Sequence, residues 1–290
     1  MGWLDKFLHS DKKEEPENKA GESHGETDAH PLTIADEPPS GPEHHEAADA
    51  VDEPPPQEDP FLKALERHGK DMAGALKEVC RRMDYNDAAE VCLAFIKYSY
   101  KISDEGFERL AEMESLEKLD ITDAAITNVG LGHLATLPKL RDLIADVTEI
   151  GDEGLTFLKE KHSLRRLSLA ATQVSDVGLK HLANLTQLES LNLSGTNITQ
   201  RGLIHLKGLT NLIHLDLSEN EIRDDGLQNL HGLSQLQFIS LNDTRVTDAG
   251  IKHLDAFEDL KYFNVKRTFV TDRQIARLIE IMPYCKFNMG

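Results

Sequence analysis

The chain repeats itself every 24 residues, and no other feature of its 290 residues restricts the fold as much. The clearest copy runs from Leu188 to Asn211. It places Leu188, Leu191 and Leu193 first, then Thr196 and Ile198, then Gly202-Leu203, Leu206 and Leu209. The opening leucine recurs at Leu116, Leu140, Leu164, Leu188, Leu212, Leu236 and Leu260 without insertion. A fixed period of this length specifies a solenoid before local propensity is consulted. The L-x-x-L-x-L spacing alternates apolar and polar positions, as a half-buried strand requires, and Leu203, Leu206 and Leu209 fit one face of a short helix. Burying seven apolar side chains stabilises a turn by roughly 10–20 kcal/mol. Ordering its backbone costs about 1–2 kcal/mol per residue. A single turn cannot fold alone, so neighbours must supply the difference.

The period extends beyond the seven leucines. Cys92, Phe95, Ile102, Gly106, Phe107, Leu110 and Met113 fit a divergent first copy over 92–115. Tyr284, Phe287 and Met289 repeat the opening triplet once more, so nine strands are expected in a solenoid over 92–290. Ahead of it, Pro60 suits the first turn of a helix, which Phe61, Leu62 and Leu65 continue to Gly69. Asp71 can cap a second helix whose apolar face is Met72, Leu76, Val79, Cys80 and Met83. Residues 60–91 are therefore expected to form a helical cap over the first turn.

Charge separates the remainder. Residues 11–60 hold 16 acidic and 3 basic side chains and nine of the 11 prolines, contributing −13 to the net −19. So little apolar surface cannot offset ordering entropy, and 11–59 is expected to be a disordered acidic tail, a spacer rather than a binding element. A tail of this length spans about 35–42 Å, enough for its acids to reach Arg166, Lys266 and Arg267. Residues 1–10 place Trp3, Leu4, Phe7 and Leu8 on one helical face. They can make weak membrane or partner contact, although so short a helix orders only on contact. The acidic balance excludes nucleic acid, which demands a basic stripe. Three cysteines without metal-ligand spacing argue for a reducing, cytoplasmic compartment, as does the lack of a secretory signal.

Several columns are set by the period. Eight residues after each opening leucine stand Ala124, Thr148, Thr172, Thr196, Asn220, Thr244 and Thr268. With no base beside them they are read as a structural ladder that satisfies turn backbone, not as nucleophiles. Gly130, Gly154, Gly178, Gly202, Gly226 and Gly250 imply close approach between turns, since helical glycine otherwise costs about 1 kcal/mol. Ser175, Thr199, Thr247 and Thr271 are helix caps. His133, His181, His205 and His253 recur without carboxylate or cysteine companions, so no metal and no cofactor is expected.

The stretch Leu236-Gln-Phe-Ile-Ser-Leu241-Asn-Asp-Thr244-Arg-Val-Thr-Asp248-Ala-Gly250-Ile-Lys-His-Leu254 resembles leucine-rich repeat proteins. It is most similar to the Thr-type repeats of bacterial proteins and is similar to the repeats of F-box receptors. The resemblance covers about residues 92–290. It implies an α/β leucine-rich repeat solenoid, right-handed, with a parallel β-sheet on the concave side and short helices on the convex side. It also implies a non-enzymatic scaffold that binds proteins. The repeat opened by Leu140 departs from the pattern at Ala145 and Lys161.

Residues between the inward leucines should face the concavity. One column is Asp120, Ile144, Ser168, Asn192, Asp216, Ser240 and Asn264. Another is Thr122, Asp146, Ala170, Ser194, Ser218, Asn242 and Lys266. A third is Lys118, Asp142, Arg166, Ser190, His214, Phe238 and Tyr262. The expected partner surface is acidic at one end (Asp120, Asp142, Asp146). At the other end it gathers His214, Phe238, Tyr262, Lys266 and Arg267, with aromatics beside cations as interface anchors require. A protein partner on a monomeric chain is expected. The alternatives are a membrane-tethered adaptor through residues 1–10, or an F-box-like substrate receptor in a ubiquitin ligase. The latter needs a longer adaptor domain than residues 60–91 offer and lacks the usual Leu-Pro opening.

Overall fold

The computed structural model describes residues 58–69, 71–96, 102–254 and 257–288, all within one compact unit. The expected tail up to residue 57, the amphipathic segment 1–10 and Met289 lie outside the described residues. Among the described residues two helices come first, α1 (Pro60–His68) and α2 (Met72–Val79). Asp59 caps α1 by accepting from Phe61 and Leu62 N–H, with Pro60 in the first turn. Asp71 caps α2 by accepting from Gly74 N–H.

Here the structure corrects the sequence reading. The second helix does not continue through Cys80 and Met83. The chain instead leaves Val79 as strand β1 (Cys80–Tyr85), turns, and returns antiparallel as β2 (Val91–Ile96). Asn86 makes the turn, its side-chain oxygen accepting from Ala88 and Glu90 N–H. The first copy is also out by one residue. Ala94, not Phe95, pairs with Leu119, so the inward triplet is Val91, Ala94 and Ile96, all buried. The later positions Ile102, Phe107 and Leu110 keep their expected places in the core. The extra residue therefore falls between Ile96 and Ile102.

From β2 onward each strand is three residues at its core and pairs parallel with the next. These are β3 (Lys118–Asp120), β4 (Asp142–Ile144), β5 (Arg166–Ser168), β6 (Ser190–Asn192), β7 (His214–Asp216), β8 (Phe238–Ser240), β9 (Tyr262–Asn264) and β10 (Lys286–Asn288). Their order in the sheet is their order in the chain, ten strands among the described residues. Nine were expected, and β1 is the addition. It pairs the edge that β2 would otherwise expose. At the far end Phe287 pairs with Phe263 as the period demands. Tyr284 is exposed, however, and Cys285 fills the buried place beside it.

The return limbs are short helices, seven residues long over 104–110, 128–134 and 152–158, shorter and partly 3-10 from 176 to 254, and ten residues long in the last, Asp272–Ile281. The opening leucines Leu116 to Leu236 are wholly buried, and one continuous apolar core runs from Phe61 to Cys285.

Two devices fix the turns, the first within each turn and, at Asn220, across to the previous one. Thr148, Thr172, Thr196, Thr244 and Thr268 each donate a hydroxyl to the carbonyl three residues back, at 2.7–2.8 Å. Asn220 does more. Its amide donates to Leu193, Leu217 and Ser218 carbonyls, and its oxygen accepts from Thr196 and Ile198 of the previous turn.

The second device is a carboxylate clasp. Asp104 accepts from both N–H and hydroxyl of Thr127, and Asp152, Asp176, Asp224 and Asp248 do the same to Ser175, Thr199, Thr247 and Thr271. Asp59 clasps Ser103 in the same way, so the cap imitates a preceding turn. The glycine column exists for these clasps: a methyl group at Gly130, Gly178, Gly202 or Gly250 would collide with the Asp104, Asp152, Asp176 or Asp224 carboxylate.

Candidate concave interaction face

The third column becomes a continuous line of side chains through strand pairing: Lys118, Asp142, Arg166, Ser190, His214, Phe238, Tyr262 and Lys286 are successive partners. Its two halves behave differently. Asp142 is buried and lies 3.5 Å from Lys118 Nζ and 3.0 Å from an Arg166 nitrogen, so one carboxylate serves two cations. Asp120, also buried, is ion-paired to Arg81 of β1 and accepts from the Thr122 N–H and hydroxyl. The acidic end expected from the sequence is thus largely engaged inside the chain. Burial is the reason: on a sheet of closely spaced strands a short carboxylate lies beneath its longer neighbours.

Asp146 is half-buried and accepts from the Ser168 hydroxyl and Ala170 N–H at 2.5 and 2.9 Å. Burial raises its pKa, and those two hydrogen bonds only partly oppose the rise. Asp216 is raised for the same reason, against Ser218, whose N–H it accepts at 3.0 Å. Asn192 is buried and accepts from Ser194 N–H.

Beyond Ser190 the line turns aromatic. His214 and Phe238 have ring centroids 6.2 Å apart, and Lys286 Nζ sits 5.4 Å from the Tyr262 ring centre. Burial first, then Arg166 and Lys261, push the His214 pKa down to about 4, so the ring is neutral at pH 7. Tyr262 keeps 44% of its surface exposed. Asn264 and Lys266 lie further along the same strand end, half-buried. Arg267 is not part of the face. It occupies the turn with φ 53° and is ion-paired to Asp243.

Three members of the face were missed from sequence. Arg81 and Arg82 cover the Phe95 ring, 5.1 and 5.7 Å from its centre, and both arginines belong to the hairpin read as helix. Lys286 stands in the truncated last copy, beside Phe287. For the clasps, the signal was present as an aspartate recurring at Asp104, Asp152, Asp176, Asp224 and Asp248.

A parallel sheet built one strand per turn, each strand returning through a short helix, defines a solenoid of the repeat class. The model of the leucine-rich repeat region family matches residues 91–277, and the chain belongs to that family. The match begins at Val91, the residue that the strand pairing makes the head of the first turn. Among solved structures it is similar to an internalin (inlF) from Listeria monocytogenes: 25% identity, TM-score 0.55, over 65% of this chain and 51% of that one. It therefore spans about half the length of that internalin. Internalin C2 of the same organism is similar at 22% identity and TM-score 0.59, over 80% of this chain and 96% of that one. No curated protein matches the chain. Among the described residues, no helix is long and apolar enough to cross a membrane.

Proposed function

We propose that the chain is a non-enzymatic scaffold that holds a protein partner on its concave sheet, with contact concentrated at the C-terminal end. The observation that carries this reading is the His214–Phe238–Tyr262 row, three successive aromatic rings lined up by strand pairing at one end of the sheet face. Aromatic side chains ordered by neighbouring strands offer large contact area at low entropic cost. The nine parallel strands β2–β10 extend about 38 Å at the usual strand spacing, enough for about 800 Å² per partner. The F-box-like alternative gains no support, because residues 80–96 are a hairpin where it needs helix. A membrane-tethered adaptor would act through residues outside the described part of the chain.

The test is affinity capture with mass spectrometry, comparing wild type with the double variant F238A/Y262A. Loss of a partner, with an unchanged melting profile, is the expected outcome. An identical partner set for both proteins would refute the reading.

A further inference from the structure

Cations on the concave sheet fall into two groups. Those at the N-terminal end already have partners: Lys118 and Arg166 share Asp142, and Arg81 holds Asp120. Arg267, at the opposite end, is held by Asp243. Lys266 and Lys286 are different. Among the described residues neither makes an ion pair, and they bracket Tyr262. Lys286 follows it in the strand pairing, with its ammonium over the ring, and Lys266 stands four residues along the same chain. Lys261, next to Tyr262 in sequence, donates only to the Gln237 amide oxygen. The carboxylate on this part of the face, Asp216, is half-buried and bonded to Ser218. The result is an aromatic row with unneutralised positive charge around its open end.

We infer that this end of the sheet takes an acidic peptide segment of its partner: an apolar side chain seats on Phe238 and Tyr262, and carboxylates meet Lys266 and Lys286. This rests on the concave-face reading and specifies the chemistry of what is bound. Opposite charge at the rim orients an approaching segment and excludes basic ones. Asn264 and Asn288, beside Tyr262 and Lys286 on β9 and β10, add amide groups that can bond an extended backbone. The chain's own net charge of −19 opposes an acidic partner at long range. That field is screened beyond about 8 Å at physiological salt, so the contact cations decide.

A random-peptide display library panned on the full chain, with enriched peptides then titrated by fluorescence anisotropy, tests the inference. Acidic sequences containing an aromatic or large aliphatic residue should be enriched. K266A/K286A should weaken them about tenfold, and K118A less than about twofold. Lys286 is exposed and Lys266 half-buried, and thermal melting of K266A/K286A checks that the variant is folded. Enriched peptides that are neutral or basic, or that ignore K266A/K286A while still failing on F238A/Y262A, would overturn the acidic-segment inference and leave the concave-face reading standing. Peptides that bind F238A/Y262A as well as wild type, no enrichment at all, or binding of a glycan array in place of peptides would overturn both.

Discussion

In the turns from Leu116 to Ser163 the irregularities point inward, and in the turns from Leu212 onward they point outward. The first group lacks a ladder hydroxyl at Ala124 and puts Lys161 where other turns have leucine, methionine or phenylalanine. Its inner-face charges answer one another. The later turns keep the ladder and the leucine column, and their departures are Phe238, Tyr262 and Lys286 on the inner face. One backbone thus accepts two kinds of deviation: those facing the core reduce stability, while those facing solvent leave it alone and create a surface. The comparison teaches that the place of a deviation, more than its chemistry, separates a structural fault from a site.

The largest effect that sharpens this contrast is expected at Asp142. Asp142→Ala leaves Lys118 and Arg166 facing each other without their shared carboxylate and should cost about 2 kcal/mol in urea unfolding. Tyr262→Ala, at an exposed aromatic, should cost far less. Similar losses at both positions would break the comparison.

Lys161 should respond in the opposite direction. Its ammonium is buried and is bonded to the Leu137 carbonyl. Burial lowers its pKa from 10.5, so charging it opposes folding at neutral pH. Lys161→Leu should therefore raise stability by about 1 kcal/mol. The gain should shrink as pH rises through the folded-state value toward 10.5, where the unfolded chain also loses the proton. A gain that is constant across this range would show that the charge is not its source.

His214 supplies the acid-side test. Its folded pKa of about 4 lies below the ordinary 6.5, so neutral His214 favours the fold above pH 6.5. That contribution disappears as pH falls from 6.5 to about 4. Over this window the wild-type melting temperature should drop further than that of His214→Gln; parallel curves would contradict the assignment. The smallest effect is expected at Val147. Its side chain is exposed, and its backbone suits glycine, as Gly195 in the same column illustrates at φ 63°. Val147→Gly should gain about 0.5–1 kcal/mol by thermal melting.

Most of the fold was legible because a period exposes its own exceptions. Lys161 and Ala145 interrupt the repeat visibly, and the glycine column announces a close approach whose other side is the aspartate clasp. The hairpin was not legible. Met72, Leu76, Val79, Cys80 and Met83 fit a helical face, and only the Asn86 turn argued against continuing it. The first turn slipped by one because Cys92 and Phe95 match the pattern as well as Val91, Ala94 and Ile96 do. One inserted residue between 96 and 102 separates the two readings. On the inner face, alternation told which side chains point inward, but not which lie beneath longer neighbours. That distinction removes Asp120 and Asp142 from the accessible surface while leaving Tyr262 on it.

The clasps also rank the joints by mechanical strength. Between the turns opened by Leu188 and Leu212, Gln200 and Arg223 stand in place of the aspartate and its hydroxyl partner, but Asn220 bridges the same joint from inside. Between those opened by Leu116 and Leu140, the clasp is reduced to one bond, Asn128 accepting from Gly151 N–H, beside the Lys118–Asp142 ion pair and the Lys161 ammonium on the Leu137 carbonyl. Of the clasps, this single bond should give way first in a molecule pulled lengthwise. The aromatic end would remain wound while the front of the spring comes apart.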